Sequence, residues 1–132
     1  MGGRLTTHVL DMTKGHPAPG MLIELWRLEP AETQEAQQMP EMLPLRRIHL
    51  KTVRSNADGR VDEPLLAGDE LTIGVYELVF AVGAYFNTQL VTTTLPPFLD
   101  TVPIRFGIAD PTAHYHIPLL TSPWAYSTYR GS

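Results

Sequence analysis

Turn-forming residues divide this chain into short segments typical of β-strands. Runs rich in Val, Ile, Leu, Thr and Tyr recur about every ten residues, with Gly, Pro, Asn and Asp between them. Hydrophobic residues make up 43% of the 132-residue chain, which is enough for one packed core. The predicted strands span residues 5–12, 21–28, 47–55, 60–65, 74–82, 98–108, 113–120 and 124–130.

Eight short strands joined by tight turns predict an all-β fold, a two-sheet sandwich of mainly antiparallel strands. The whole chain, residues 1–132, is predicted to be a single domain. Residues 84–90 are predicted to form the one short helix. Residues 29–45 contain three prolines and many Glu and Gln residues, so we expect a loop insertion there.

Three details of the strands can be predicted from residue type. Alternation in the second strand favours Ile23 and Leu25 as the core-facing residues. The continuous apolar character of residues 74–82 predicts a well-buried strand. Pro103 lacks an amide proton, so the strand around it is expected at a sheet edge or a bulge.

Charge and composition exclude several classes of function. The net charge is −4, so the chain has no basic excess to neutralise phosphates, and nucleic acid is not an expected partner. It contains no cysteine, hence no disulfide framework and no thiolate chemistry. The N-terminus shows no secretory leader and no run approaches ~20 apolar residues, so we expect a cytoplasmic protein without a membrane span.

Two histidines, His114 and His116, are separated by one residue in a predicted strand. Side chains two residues apart share one face of a strand, roughly 6–7 Å from each other. Three interpretations remain open from spacing alone: a partly exposed pair without a function, a metal site, or acid–base and binding chemistry. A metal would need a third ligand, for which His8 on the first strand is the best candidate.

Two arginines and the last residue are further candidates. Arg60 follows an Asp-Gly turn, where it is either a solvated side chain or a fixed guanidinium that pairs with planar oxygen acceptors. Arg130 is open to the same two interpretations. If Ser132 is the true terminus, its carboxylate is an anion beside a hydroxyl that could orient imidazoles, although most chain ends fray.

Three motifs together resemble the 5-hydroxyisourate hydrolase family, the transthyretin-related enzymes of urate breakdown. They are LTTHVLD near the start, SNADGR in the middle and HYHIPLLTSPWAYSTYRGS at the end. GRVDEPLLAG after the turn and GAYF in the predicted helix extend the likeness over nearly the whole chain. Each motif alone is weak, whereas the terminal Tyr-Arg-Gly-Ser joined to the other two is specific.

The resemblance implies the eight-stranded transthyretin-like sandwich with one short helix, assembled as a homotetramer, a dimer of dimers. Its sites are expected at the subunit interface, without metal or cofactor. The catalytic residues that it implies are His8, Arg60 and His116. The substrate-binding residues that it implies are His114, Tyr129, Arg130, Gly131 and Ser132.

The implied reaction is hydrolysis of 5-hydroxyisourate at a ring amide to 2-oxo-4-hydroxy-4-carboxy-5-ureidoimidazoline, by direct attack of water. The alternative is a non-catalytic small-ligand carrier with the same fold, because a fold alone does not decide function. The sequence departs from the family pattern in the longer insertion at 29–45 and in Ser55, where many members have threonine.

Overall fold

Two β-sheets dominate the structure, a computed structural model that describes residues 2–31, 40–42, 45–91 and 93–132. Within these ranges the chain forms nine strands and one α-helix, α1, at Val82–Asn87. The strands are β1 (Arg4–Asp11), β2 (His16–Pro17), β3 (Leu22–Pro30), β4 (Leu45–Arg54), β5 (Leu66–Ala67), β6 (Gly74–Phe80), β7 (Val102–Ile108), β8 (His114–Thr121) and β9 (Tyr126–Thr128). Short 3-10 turns lie at Pro40–Met42 and Gly68–Glu70.

The first sheet brings the two ends of the chain together. Its strands are ordered β2-β1-β8-β9, and β5 pairs with the beginning of β1. Strands β1 and β8 are parallel, and their register places Thr6 opposite His116 and His8 opposite Pro118. The second sheet is antiparallel, in the order β4-β3-β6-β7.

The core lies between the sheets and follows from alternation along the strands. In β1 the odd-numbered residues are buried, Leu5 and Val9 completely, whereas the even-numbered ones point outward. Ile23 and Leu25 of β3 are also completely buried, as predicted. The outer face of the first sheet carries polar side chains at the beginning of β1 and β8, among them Thr6, His8 and His116.

Asp11, at the end of β1, joins the first sheet to the helix. It is completely buried, and its carboxylate accepts hydrogen bonds from Thr13, from the amide of Lys14 and from the hydroxyl of Tyr85 in α1, the last at 2.7 Å. Burial opposes the charge, but these donors outweigh it and lower the pKa of Asp11 below its ordinary value. The carboxylate stays ionised inside the fold.

The all-β, two-sheet prediction with one short helix is confirmed, and the central position of β6 and the edge position of β7 agree with it. The predicted strand at 60–65 is wrong. Arg60 makes only an isolated bridge with His8, and the ladder resumes at Leu66–Ala67. The intervening residues 62–64 are exposed and include a proline without an amide proton, so they cannot sustain a ladder.

Other predicted boundaries shift by a few residues. The helix begins two residues earlier than predicted, β7 begins at Val102 rather than at 98, and β9 is limited to Tyr126–Thr128. The predicted insertion at 29–45 shortens at both ends, because β3 continues to Pro30 and β4 begins at Leu45. Residues 32–39 and 43–44 of that insertion lie outside the described residues. No helix in the described part of the chain is long and apolar enough to cross a membrane.

Candidate active site

The outer face of the first sheet carries an open cleft of about 380 Å³. Side chains from β1, from the turn after β4, from β8 and from the tail line it together, among them Thr6, Arg60, His114, His116 and Ser132. These residues are distant in sequence, and the parallel pairing of β1 with β8 brings them to one place.

His8 adjoins the cleft from β1 and is joined to Arg60 through the main chain. The two residues form an isolated antiparallel bridge. The amide of Val9 donates a 2.8 Å hydrogen bond to the carbonyl oxygen of Gly59. A Cβ on Gly59 would clash with the carbonyl oxygen of Val9, and the φ of Gly59 is +73°, so only glycine suits this approach.

Asn56 shapes the turn that presents Arg60. Its side-chain oxygen accepts hydrogen bonds from the amides of Asp58 at 2.9 Å and Arg60 at 3.1 Å. Its side-chain amide donates to the carboxylate of Asp62 at 3.0 Å. The side chain of Asn56 therefore stabilises the turn and fixes the direction of the main chain at Arg60.

His114 and His116 share the outward face of β8, with ring centroids 6.1 Å apart. The hydroxyl of Thr6 lies 2.9 Å from Nε2 of His114 and 2.8 Å from Nδ1 of His116. Tyr115 points to the opposite side and is buried. The predicted sharing of one face by the two histidines is confirmed.

The tail returns along β8 and ends at the cleft. Gly131 forms an isolated bridge with His116, and its amide donates a 2.7 Å hydrogen bond to the carbonyl oxygen of His116. Ser132 follows and lines the cleft. The end of the described chain is thus docked beside the histidines.

Tyr129 and Arg130 lie elsewhere in the protomer. They line a second cavity of about 280 Å³, bounded by β7, β8 and β9. The Arg130 guanidinium stacks 4.2 Å from the ring centre of Tyr115, and its Nη2 is 3.4 Å from the carbonyl oxygen of His114. Arg130 therefore holds the tail against β8 and does not line the cleft.

All three histidines of the site are kept uncharged by their surroundings. Burial and then the positive charge of Arg60 lower the pKa of His8 below its ordinary value of 6.5, against a smaller opposing effect of Asp58. Burial, Arg60 and the neighbouring histidines lower the pKa of His116. Burial and Arg4 lower the pKa of His114. Neutral imidazoles at pH 7 can accept protons.

A metal site was one interpretation of the histidines. Over the described ranges, no three His, Cys, Asp or Glu side chains are grouped closely enough to hold one ion. His16 and His49, the remaining histidines, are exposed on other parts of the surface. The cleft instead combines proton acceptors with the cation of Arg60, which suits attack by water on a carbonyl group whose oxygen becomes negative.

Sequence reasoning missed Thr6, Asn56, Arg4 and Asp62. Alternation would have placed Thr6 and Arg4 on the same face as His8. Asn56 belongs to the turn motif, and its type is typical of a residue that bonds its own backbone. The contact of Thr6 with two imidazoles depends on the β1–β8 register, which residue type does not reveal.

The sequence matches the HIUase/Transthyretin family over residues 5–131. It is 54% identical to a 5-hydroxyisourate hydrolase of Mesorhizobium japonicum, in an alignment that covers 99% of this chain and 94% of that protein. It is 51% identical to 5-hydroxyisourate hydrolase 2 of Rhizobium meliloti, over 98% of this chain and 97% of that protein.

Solved structures give the same relationship. The 5-hydroxyisourate hydrolase of Klebsiella pneumoniae is 30% identical, with a TM-score of 0.71 over 98% of this chain and 99% of that one. A crystal structure of (S)-allantoin synthase is 47% identical, with a TM-score of 0.82 over 99% of this chain, which spans 44% of that longer one. Sparus aurata transthyretin is 25% identical, with a TM-score of 0.75 over 97% and 96% of the two chains. Fold, site geometry and full-length similarity together assign this chain to the HIUase/Transthyretin family.

Proposed function

We propose that this protein is a 5-hydroxyisourate hydrolase that opens a ring amide of its substrate to give 2-oxo-4-hydroxy-4-carboxy-5-ureidoimidazoline. The observation that carries the proposal is the convergence of Arg60, His116 and Ser132 on one cleft, with His8 bridged to Arg60 beside it and near enough to His116 to lower its pKa. The relatives that bear this enzyme name match this chain over nearly its full length.

The cleft supplies the groups that water attack requires. A neutral imidazole of His8 or His116 takes a proton from water while the water oxygen bonds to the carbonyl carbon. The bond from that carbon to the ring nitrogen then breaks, the nitrogen receives a proton, and a carboxylate remains. The reaction needs no covalent enzyme intermediate.

Arg60 stabilises the negative charge that develops on the carbonyl oxygen. The Asn56 turn holds the main chain of Arg60 beside the cleft before substrate arrives, and we propose that the guanidinium reaches the reacting oxygen from there. A preorganised donor of this kind contributes about 3–4 kcal/mol to the transition state. His114 and the tail residues Gly131 and Ser132 hold the histidines and the substrate in place.

We also propose that the protein assembles as a homotetramer, a dimer of dimers with its sites at the subunit interfaces. Two features of the protomer support an oligomer: edge strands such as β7 and β9, and exposed aromatic side chains near the tail. Trp124 is 59% exposed and Tyr129 is 61% exposed. Light scattering should give a mass four times that of one chain.

Tyr129 and Arg130, remote from the cleft of their own protomer, are then available to the cleft of a neighbouring subunit. The cytoplasmic location stays a prediction.

The carrier alternative has a structural basis, since sea bream transthyretin has been solved in complex with thyroxine. The cleft of this chain favours hydrolysis, because it is lined by arginines, histidines and hydroxyls. A bound hormone-like ligand that stays chemically unchanged, with no hydrolysis of 5-hydroxyisourate, would favour the carrier.

The direct test generates 5-hydroxyisourate from urate with urate oxidase and follows its decay with and without the protein. We expect fast decay with the wild type, and a loss of at least about 100-fold in kcat for Arg60→Ala. His8→Ala and His116→Ala should lose a similar amount. His49→Ala is the matched control, because His49 is exposed on the other sheet, and it should keep full activity. Near-wild-type turnover in all three site variants would refute the assignment.

A further inference from the structure

One hydroxyl group, that of Thr6, lies between two imidazoles of the cleft. Its oxygen is 2.8 Å from Nδ1 of His116 and 2.9 Å from Nε2 of His114. Thr6 sits on the outward face of β1, directly opposite His116 in the parallel ladder. The contact is therefore determined by the register of the two paired strands.

A threonine hydroxyl carries one proton, so it donates one hydrogen bond while its oxygen accepts others. Of the two imidazole nitrogens, one must accept from Thr6 and the other, when both rings are neutral, must donate to it. The tautomers of His114 and His116 are thereby coupled, and only two arrangements satisfy all three groups.

In the first arrangement His116 carries its proton on Nδ1 and donates it to Thr6, which donates to Nε2 of His114. Nε2 of His116 then keeps its lone pair and can accept a proton. In the second arrangement the order is reversed, and His116 carries its proton on Nε2. Nε2 of His116 then has no free lone pair, so it cannot act as a base unless the hydroxyl proton and the ring protons of both histidines change position.

We propose that Thr6 is a positioning residue that holds His116 in its Nδ1–H tautomer, with His114 as the acceptor at the far end of the hydrogen-bond chain. The catalytic consequence rests on the hydrolase function proposed above. The coupling of the two tautomers does not, because it follows from the contacts of Thr6 in the free protein.

The first arrangement also suits the charged state that catalysis produces. When His116 takes a proton at Nε2, its Nδ1–H still donates to Thr6, and the hydrogen bond becomes charge-assisted. The chain needs a neutral His114 to accept from Thr6. Burial of the His114 ring and then the positive charge of Arg4 lower the pKa of His114, which favours its neutral form.

The position of the His116 ring is restrained from a second side. The α-carbon of Gly131 lies so close to it that a Cβ there would stand 2.6 Å from Cδ2 of His116. Thr6 holds the Nδ1 edge of the ring and Gly131 packs against Cδ2. Together they leave Nε2 as the ring nitrogen free for a reacting water.

The test combines a spectroscopic and a kinetic measurement. In ¹⁵N NMR spectra of the wild type near pH 8, we expect His116 to carry its proton on Nδ1. This measurement needs neither substrate nor a variant, so it remains decisive if Thr6→Val fails to fold or if the protein does not hydrolyse 5-hydroxyisourate. A His116 protonated on Nε2 would overturn the proposal.

The kinetic arm compares Thr6→Val with Thr6→Ser. The valine is nearly isosteric but lacks the hydroxyl, and we expect kcat to fall about 10- to 100-fold, because the imidazole loses the partner that orients it toward the reacting water. Serine should restore kcat to within about threefold of the wild type, because it keeps the hydroxyl. Thr52→Val is the matched control, since Thr52 contacts His49 at 2.7 Å on the other sheet. Unchanged kcat in Thr6→Val would contradict the role.

Discussion

The α-carbon of Gly131 packs against the imidazole of His116, and the amide of Gly131 donates a 2.7 Å hydrogen bond to the His116 carbonyl oxygen. The first contact excludes any side chain at position 131. We predict that Gly131→Ala lowers kcat at least about tenfold, because the added methyl group displaces the ring or the tail. The melting temperature should change little, since the contact lies at the exposed end of the chain.

Gly107→Ala is the control for this substitution. A Cβ at Gly107 would meet no heavy atom within 4 Å, so this variant should keep both stability and activity. Wild-type turnover in Gly131→Ala would mean that the tail does not position His116. Steady-state kinetics and a thermal melt of both variants decide the matter.

Acid should inactivate the protein below neutral pH. Burial and neighbouring cations lower the pKa of His8 and of His116 below 6.5, so both imidazoles are neutral at pH 7. We predict that kcat/KM, which reports the free enzyme, is flat above pH 7 and falls as the pH drops through an apparent pKa below 6.5. A profile whose acid limb lies above pH 7 would contradict a neutral imidazole base.

Replacement of Arg60 should be visible in the histidine titrations. Its positive charge disfavours the imidazolium forms, so Arg60→Met should raise the pKa of both His8 and His116. Burial, the larger cause, remains and limits the rise. NMR titration of the ring protons measures this without substrate. Arg54→Met, which removes a cation whose Nη1 contacts the carbonyl oxygen of Gly20, should leave both values unchanged.

Tyr85→Phe should destabilise the fold by about 1.5–3 kcal/mol at pH 7, the usual contribution of a hydrogen bond to a charged group. The lost partner is the buried carboxylate of Asp11. Because the folded-state pKa of Asp11 is lowered, its stabilising effect is present above its unfolded pKa and is lost as pH falls through the folded value. In urea unfolding, the difference in free energy of unfolding between the wild type and Tyr85→Phe should therefore decrease as the pH falls. Tyr126→Phe, with a 45% exposed side chain, should show almost none.

Ser55→Ala should cost about 1–3 kcal/mol, because it leaves two buried main-chain groups without a partner. The Ser55 hydroxyl accepts from the amide of Met21 at 2.9 Å and donates to the carbonyl oxygen of Ala18 at 2.7 Å. Ser55→Thr keeps the hydroxyl and should retain most of the stability. Ser127→Ala is the exposed control. Equal urea midpoints for Ser55→Ala and the wild type would rule out this role.

Part of the site could be predicted from the local sequence pattern alone. The pleat of a strand has a period of two, so the common face of His114 and His116 could be predicted directly from their spacing. The turn that presents Arg60 was visible in its Asp-Gly dipeptide. Both features depend on neighbours in sequence, and the structure reproduces both.

The rest of the site could not be predicted from local pattern, because it depends on pairing between strands that are far apart in sequence. The approach of His8 to His116 depends on the parallel β1–β8 ladder, which no local signal encodes, and the resemblance to a family supplied it. The wrong strand at 60–65 has a related cause. Its composition permits a strand, yet only its two ends contact β1, Arg60 by a bridge to His8 and Leu65 by a hydrogen bond to Leu5, and Pro64 interrupts the ladder between them. Thr6 was missed because its contacts depend on register.

Thr6 and His116 are 110 positions apart, yet they touch in the finished sheet. A chain in which β8 has not yet paired with β1 lacks the contact between Thr6 and His116 and therefore has no assembled cleft. Regain of turnover during refolding should consequently be no faster than formation of the β1–β8 pair, so activity reports when this long-range contact closes.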